Sequence, residues 1–392
     1  MAAIPNPLAR AVRYARAHGV VTSAHKAARL AARHATMRGL PMTVHVEVSN
    51  VCNLSCEYCV LDRGAQGDRV MSDTTFAAVL PVLRNALRIN VSGLAEPLMN
   101  TRFTAMLGEI RRVAPTAAIQ MNTNASLLTA QIAGRLVESR LDEVVFSLDG
   151  ADAEHFDAVR HGASLSGLIE NIGTLRAVVR ERRAERPALS ATTVLQRHNI
   201  AQFPETVRLA GRMGATVVNA NGLEPFVASV ADAPLWTDPD SVDGLAGILR
   251  EAGAAASAAG IELRLTAMRP QQAVCPQIFR PIILADGTVV PCSVLAYPRD
   301  SYLAIDDTGA VVRRDGATPR VSFGNVNETP FRDIWQDDEY VRFRHAVEQR
   351  DFPAACGSCL MKHHVICPQP PLTLAECLGT LERGAANAEA AS

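Results

Sequence analysis

Residues 43–59 read Thr43-Val44-His45-Val46-Glu47-Val48-Ser49-Asn50-Val51-Cys52-Asn53-Leu54-Ser55-Cys56-Glu57-Tyr58-Cys59. The first six alternate in the period-two pattern of a strand. Three cysteines spaced CxxxCxxC follow at once. Three thiolates within eight residues can grip three corners of an iron–sulfur cube and leave the fourth iron open. A structural zinc site closes all four positions, usually from paired CxxC units. The nearest further ligands are His45 upstream and His155 far downstream. The spacing therefore favours a cluster with one open corner over structural zinc or inert core thiols.

Composition limits what such a cluster serves. The 392 residues are enough for a large core and predict two domains. A net charge of −1 with 48% hydrophobic and 20% charged residues lacks the basic excess of a nucleic-acid binder. No apolar run approaches the ~18–20 residues of a membrane span, and no signal peptide is evident. Nine cysteines, an odd number with a tight triplet, argue for reduced, metal-holding thiols in the cytoplasm rather than a disulfide scaffold.

Residues 1–41 form a basic lead-in. Over 6–38, Arg10, Arg13, Arg16, Lys26, Arg29, Arg33 and Arg38 accompany Leu8, Ala11, Val12, Ala15, Ala27, Leu30 and Ala31 at helical spacing, with no acid before Glu47. A packed helix with a solvated basic face and a contact with an anionic partner or membrane surface both remain open. Strands are predicted at 43–48, 88–92, 117–122, 143–148, 190–195 and 216–222. Helices fall near 73–87, 102–113, 129–139, 165–183 and 201–213. Six strands with intervening helices indicate an α/β fold, a parallel sheet or partial barrel spanning 42–235. Ligands in such folds sit at the carboxyl ends of the strands, where the triplet lies. A helix near 241–258 and a strand connect (236–270) to a Gly-, Pro- and Cys-rich domain (271–378). A mobile tail is expected over 379–392.

The triplet, with Tyr58 before its third cysteine, resembles the radical S-adenosylmethionine (radical SAM) superfamily. The resemblance covers residues 43–223 and implies a partial (β/α)6 TIM-like barrel, a [4Fe–4S] cluster on Cys52, Cys56 and Cys59, and S-adenosylmethionine on the open iron. Ser92-Gly93-Leu94-Ala95-Glu96-Pro97 is similar to the family's GxGEP element, which implies that Gly93, Glu96 and Pro97 receive the methionyl amine. Ala95 stands where glycine is frequent, and alanine tolerates positive φ poorly. Asn122-Thr123-Asn124-Ala125-Ser126-Leu127-Leu128 resembles the TNGxLL turn, with Ala125 in the glycine's place and Asn124 a cofactor contact. Ser147-Leu148-Asp149-Gly150, followed by His155, Arg160 and Gly162, is similar to the SLDG…RxG segment. Ser147 and Asp149 share one face by alternation and are expected at the ribose. Arg160 offers a fork for a carboxylate, with a surface pair to Asp157 or Glu154 as the alternative. Asn219, Asn221 and Glu224 stand near the barrel mouth as substrate or cofactor contacts.

Cys275, then Asp286-Gly287-Thr288-Val289-Val290-Pro291-Cys292, then Phe323-Gly324-Asn325-Val326, Phe331, Ile334, Trp335, Tyr340, Arg344 and Cys356-Gly357-Ser358-Cys359 resemble the SPASM/Twitch extension. This implies an auxiliary [4Fe–4S] cluster on Cys275, Cys292, Cys356 and Cys359. The Phe331–Ile334–Trp335 stripe is helix core by spacing. A full two-cluster SPASM domain carries a denser cysteine run, so one auxiliary cluster is expected, with Cys367 and Cys377 left over. A second cluster completed by His363, His364 or a substrate is the alternative.

These expectations add up to an enzyme drawing electrons from a flavodoxin or ferredoxin. The favoured outcome is epimerisation at a carbinol C–H of a saccharide-type natural product, with Cys367 or Cys377 as candidate hydrogen donor. For each thiol, an inert buried role is an equal alternative. Dehydrogenation through the auxiliary cluster, radical maturation of a ribosomal peptide, and a non-catalytic iron–sulfur scaffold are the other readings.

Overall fold

The computed structural model describes residues 39–389 apart from 60, 62–66, 226, 272–274, 276, 298, 301–302, 306–309, 314–316, 358 and 367–370. The N-terminal helices expected over 6–38 and the candidate donor Cys367 lie outside these residues.

Strands β1 (Thr43–Val46), β2 (Arg88–Asn90), β3 (Ala118–Thr123), β4 (Glu143–Ser147), β5 (Ala188–Leu195) and β6 (Val217–Gly222) stand side by side in chain order, all parallel. Helices α1 (Asp73–Leu83), α2 (Phe103–Val113), α3 (Ala130–Glu138), α4 (Ala153–Val159), α5 (Leu165–Glu181) and α6 (Phe203–Arg212) join them. Each of four helices is opened by a side chain that accepts a first-turn N–H: Ser72, Thr129, Asp152 and Ser164. Such caps are worth about 1 kcal/mol each. Helix α4 was not expected from sequence; its Asp152 cap was the available signal.

The two faces of the sheet differ. Val44, Val46, Ile119, Met121, Val144, Phe146, Ala191, Leu195, Val218 and Ala220 are buried in one core. Each contributes roughly 1–3 kcal/mol by leaving water. The alternate positions are polar: Asn90, Gln120, Asn122, Ser147, Thr192, Asn219 and Asn221 are half-buried. They bond to one another across strands, Asn90 to Asn122 at 3.5 Å and Asn221 to Thr192 at 2.8 Å, and along β3, Gln120 to Asn122 at 3.1 Å. A parallel sheet covered on both faces by helices would be apolar on both. A polar second face fits the concave interior of a partial barrel.

Beyond β6 the sheet gains β7 (Glu262–Arg264), after α7 (Leu245–Ala258). At the opposite edge β8 (Ile282–Ile283) pairs with β1 in parallel and turns through Gly287 (φ +87°) into antiparallel β9 (Val289–Val290). The cysteine-rich region is thus hydrogen-bonded to the barrel sheet, with Ile282 opposite His45. Helices α8 (Phe331–Gln336), α9 (Asp338–Gln349) and α10 (Leu374–Glu389) follow. Helix α10 corrects the expected mobile tail. Leu374, Cys377, Leu378 and Leu381 recur at helical spacing and pack on the main core. No helix among the described residues is long and apolar enough to cross a membrane.

Candidate active site

The triplet loop follows β1 and rests on the chain that follows α4. Ser55 N–H donates to His161 O at 3.0 Å and Glu57 N–H to Val159 O at 2.9 Å. Gly162 stands at φ +94°, and a Cβ there would lie 3.3 Å from Leu54 Cδ2. Glycine lets the two segments meet. Within the loop, Cys59 N–H donates to Cys56 O at 3.1 Å and Leu54 N–H to Cys52 Sγ at 3.5 Å.

Behind the loop lies a buried charge network. Arg160 Nε donates to Asp149 Oδ2 at 2.6 Å and Arg160 Nη2 to Tyr58 Oη at 2.9 Å, while Tyr58 Oη donates to Asp149. The other Asp149 oxygen accepts Val194 N–H at 2.8 Å. Burial opposes the charge on Arg160, but the Asp149 carboxylate outweighs it and holds the proton above the ordinary arginine value. Burial also pushes Tyr58 well up, so its hydroxyl stays protonated. Asp149 therefore faces Arg160, Tyr58 and the β5 backbone; its oxygens are not open toward a ribose. The surface pairing considered for Arg160 is not seen either, since Asp157 accepts Leu165 N–H at 2.8 Å. Ser147, the residue sharing Asp149's face, is half-buried at the end of β4.

Two side-chain N–H donors reach the loop's sulfurs from outside the loop. Arg160 Nη1 is 3.9 Å from Cys56 Sγ and Asn124 Nδ2 is 3.8 Å from Cys52 Sγ. Asn124 also donates to Asn53 at 3.1 Å. Burial raises the Cys56 thiol to about 11, with Arg160 partly opposing. The surroundings thus disfavour a bare thiolate, and bound metal would offset that penalty.

The turn after β2 is held from below. Glu96 is buried and accepts Thr123 Oγ1 at 2.9 Å, Asn124 N–H at 2.8 Å and Leu98 N–H at 3.1 Å. Burial lifts its carboxyl to about 7 against these bonds. Glu96 N–H reaches Val51 O at 3.2 Å, tying the turn to the triplet loop. Pro97 opens a short 3-10 turn. A Cβ on Gly93 would fall 2.4 Å from the Glu47 side chain, so close approach, not positive φ, demands glycine there. Of the two alanines in glycine places, Ala125 takes φ +58°, and Ala95 has no positive φ.

Glu47 was not singled out from sequence. It is buried, accepts Ala285 N–H at 3.3 Å and the Tyr297 hydroxyl, and burial raises it to about 7. Its place just past β1, in step with the strand's polar positions Thr43 and His45, was the available signal. It joins the Gly93 turn to the chain beyond Cys292.

The second cysteine set forms a chamber. Cys275, Cys292, Cys356 and Cys359 line one cavity with Pro291, Leu295, Phe343, Val347 and Phe352. Cys359 N–H donates to Cys356 O at 3.1 Å, the same bond that closes Cys56–Cys59. Burial pushes Cys356 up to about 12 and Cys359 well above the usual thiol range. Glu224, beyond β6, is near enough for its charge to act on Cys359. A Cβ on Gly222 would fall 1.8 Å from Val365 O, so the chain after the chamber seals against the end of β6. Four soft donors around one apolar cavity fit an iron–sulfur cluster.

Cys377 requires a correction as a candidate donor. Its thiol is wholly buried and donates to Thr266 O at 3.3 Å in the core under α10. His364 is buried at φ +62°, and His363 is half-buried with its pKa lowered by burial to about 4.

A half-barrel with an open-cornered cysteine loop and a four-cysteine chamber defines a class of iron–sulfur radical enzyme. Residues 46–210 match the Radical SAM superfamily and residues 275–360 match the SPASM iron-sulfur cluster-binding domain. The chain belongs to the radical SAM superfamily and carries a C-terminal SPASM domain. Its cofactors are those of the two domains: S-adenosylmethionine, a [4Fe–4S] cluster and auxiliary iron–sulfur chemistry. It is 25% identical over 328 residues to the tungsten-containing aldehyde ferredoxin oxidoreductase cofactor-modifying protein of Pyrococcus furiosus, covering 81% of this chain and 87% of that one. The mycofactocin maturase MftC of Mycolicibacterium smegmatis is 29% identical over 205 residues, 51% of this chain and about half (49%) of the maturase. Streptococcus suis SuiB bound to S-adenosylmethionine superposes at TM-score 0.58 with 14% identity, covering 88% of this chain and 77% of SuiB. That likeness is one of fold.

Proposed function

We propose that this radical SAM enzyme removes a hydrogen atom from a hydroxyl-bearing carbon of a polar substrate held in the half-barrel. The observation that carries the reading is the triplet loop seated on the Arg160–Asp149–Tyr58 network beneath a polar lumen. Cys52, Cys56 and Cys59 would hold the catalytic cluster, and Cys275, Cys292, Cys356 and Cys359 one auxiliary cluster. When bound, these groups supply a 5′-deoxyadenosyl radical from S-adenosylmethionine and a one-electron acceptor. The Gly93–Pro97 turn presents backbone to the methionyl amine, kept in shape by Glu96. Arg160 and Asn124 donate N–H groups toward the sulfurs, and Asp149 fixes Arg160 from behind. Ser147 stands at the ribose side. Asn122, Asn219 and Asn221 offer amides to substrate hydroxyls, and Glu224 lies between lumen and chamber.

Oxidation of the carbinol fits these placements better than epimerisation, because Cys377 is bonded into the core. Epimerisation then rests on Cys367. A second reading, maturation of a peptide, is favoured by the match to the mycofactocin maturase. A flavodoxin- or ferredoxin-type reductant serves all three.

Reconstituted protein is expected to carry about eight irons; about four removes the auxiliary cluster, about twelve adds another. Cys52→Ala abolishes 5′-deoxyadenosine formation, and retained formation overturns the reading. Turnover with a candidate saccharide in deuterated water separates the outcomes. A product lighter by two hydrogens marks oxidation, whereas one solvent deuterium in an isomer, lost in Cys367→Ala, marks epimerisation.

A further inference from the structure

The turn after β2 is bonded at its two ends and open between them. Ser92 N–H donates to Asn90 Oδ1 at 2.9 Å, and Ser92 Oγ accepts Asn122 N–H at 2.7 Å. At the other end Glu96 N–H donates to Val51 O at 3.2 Å. Among the described residues, no hydrogen bond reaches the backbone of Gly93, Leu94 or Ala95. Their N–H and C=O groups are left for a ligand, so side-chain contacts must hold these three residues in place. Two such contacts lead to the C-terminal domain.

The first contact runs through Glu47, which is 1% exposed. A Cβ on Gly93 would fall 2.4 Å from both its Cγ and its Oε2, so the carboxyl abuts the turn. Its other oxygen, Oε1, accepts the Tyr297 hydroxyl at 2.5 Å and Ala285 N–H at 3.3 Å. The second contact is Leu94, which packs against the apolar group of Ile282, Leu284, Val290, Ala296 and Tyr297 itself. Tyr297 thus bonds the carboxyl that abuts Gly93 and belongs to the group that Leu94 rests on. It lies beyond Cys292, within the stretch that matches the SPASM domain. A buried acceptor that loses its donor keeps its desolvation cost without compensation, so the hydroxyl fixes where Glu47 stands.

We propose that Tyr297 is a positioning residue for S-adenosylmethionine, supplied to the barrel by the SPASM domain. By holding Glu47 against Gly93 and backing Leu94, it fixes the open backbone of the turn in the shape that the methionyl amine meets. It acts through Glu47 and Leu94 and is not itself a ligand. Cofactor affinity then depends on a hydroxyl outside the half-barrel. The proposal rests on the reading of Gly93–Pro97 as the turn that receives the amine.

The test is equilibrium dialysis of S-adenosylmethionine against the reconstituted full chain, kept oxidised so that the cofactor is not cleaved. Iron content and melting temperature are measured on the same samples. Tyr297→Phe keeps the ring and removes the hydroxyl. It should weaken binding roughly three- to tenfold at full iron content, the range that one hydrogen bond supplies. Glu47→Ala should weaken binding at least as much, and adding Tyr297→Phe to it should cost nothing further. Glu47→Gln retains an oxygen for Tyr297 and should recover most of what Glu47→Ala loses. A tyrosine that only supports the fold would lower the melting temperature and leave the affinity of the loaded protein unmoved, and that result overturns the proposal. Full additivity of Tyr297→Phe with Glu47→Ala overturns it too. Where Tyr297→Phe loads poorly, the two Glu47 variants carry the test, and equal losses in both overturn it. Gly93→Ala separates this failure from that of the turn. Unaltered binding in Gly93→Ala removes the turn's assignment and the proposal with it. Weakened binding there, with unmoved binding in Tyr297→Phe, removes Tyr297 alone.

Discussion

The two cysteine sites share a bond and little else. In each, a CxxC pair is closed by the N–H of its second cysteine on the carbonyl of its first, at 3.1 Å in both. Around the triplet, the neighbours are polar and charged: Arg160, Asp149, Tyr58, Asn124 and Asn53. Around the chamber they are mostly apolar, Leu295, Phe343, Val347 and Phe352, with Lys362 and Gln277 as the polar liners. A mouth that must admit ligands needs side chains pinned by directional bonds, since packing alone cannot hold an open surface. A largely apolar chamber needs exclusion of water and a matching charge, which Lys362 offers. The same local turn therefore serves a polar site and a largely apolar one, and the difference lies in what surrounds it.

Removing Arg160 should produce the largest break in this contrast. Arg160→Met leaves Asp149, with its side chain 0% exposed, bonded only to Tyr58 and one backbone N–H. Breaking a buried ion pair from one side costs about 3–5 kcal/mol, read by chemical denaturation of the cluster-free chain. Arg160→Met combined with Asp149→Asn should recover part of that loss. Full additivity of the two substitutions would mean that the pair does not act as a unit.

The next effect concerns pH. Glu47 and Glu96 are held near 7 by burial, against an unfolded value of about 4.3. The folded state then binds more protons than the unfolded one between these values, so stability is full below about pH 4 and falls as pH rises toward 7. Each carboxyl accounts for roughly 3–4 kcal/mol of that fall. Glu47→Gln keeps an oxygen for Tyr297 and Ala285 and should flatten the slope by its share, as should Glu96→Gln. An unchanged slope in both variants would place the pH sensitivity elsewhere.

The sequence was legible where local pattern and tertiary structure agree. Alternation at Val44–Val46 and Ile119–Met121 marked strands, and the polar residues between them now line the lumen. The cysteine spacings were legible because a cluster imposes short ligand intervals. The partnership of Asp149 with Arg160 was not, because alternation sets a side chain's face and not its partner eleven residues on. Nor was the docking of β8 against β1, a two-residue strand whose position depends on sequence more than two hundred residues away. Helix α10 was missed for a different reason: its alanine-rich end hid the Leu374–Cys377–Leu381 stripe.

Backbone substitutions sharpen the contrast at smaller scale. Gly93→Ala drives a Cβ to 2.4 Å from Glu47, and overpacking of this kind costs about 1–3 kcal/mol. Because Glu47 is gripped by Tyr297, the strain should also weaken S-adenosylmethionine binding by equilibrium dialysis. A stability loss with unaltered binding would separate the Gly93 turn from the cofactor.

The smallest expected effect is at Ala125. Its φ of +58° costs an alanine about 1 kcal/mol relative to glycine, while its buried methyl contributes about 0.8 kcal/mol that glycine would lack. Ala125→Gly should therefore leave stability within about 0.5 kcal/mol by denaturant titration. Ala125 sits next to Asn124, whose amide reaches Cys52, so a looser turn should show first in cluster loading. Slower iron incorporation at unchanged stability would mean that the mouth depends on a pinned backbone. Unchanged loading would mean that Glu96 and Thr123 hold the turn without help from the alanine.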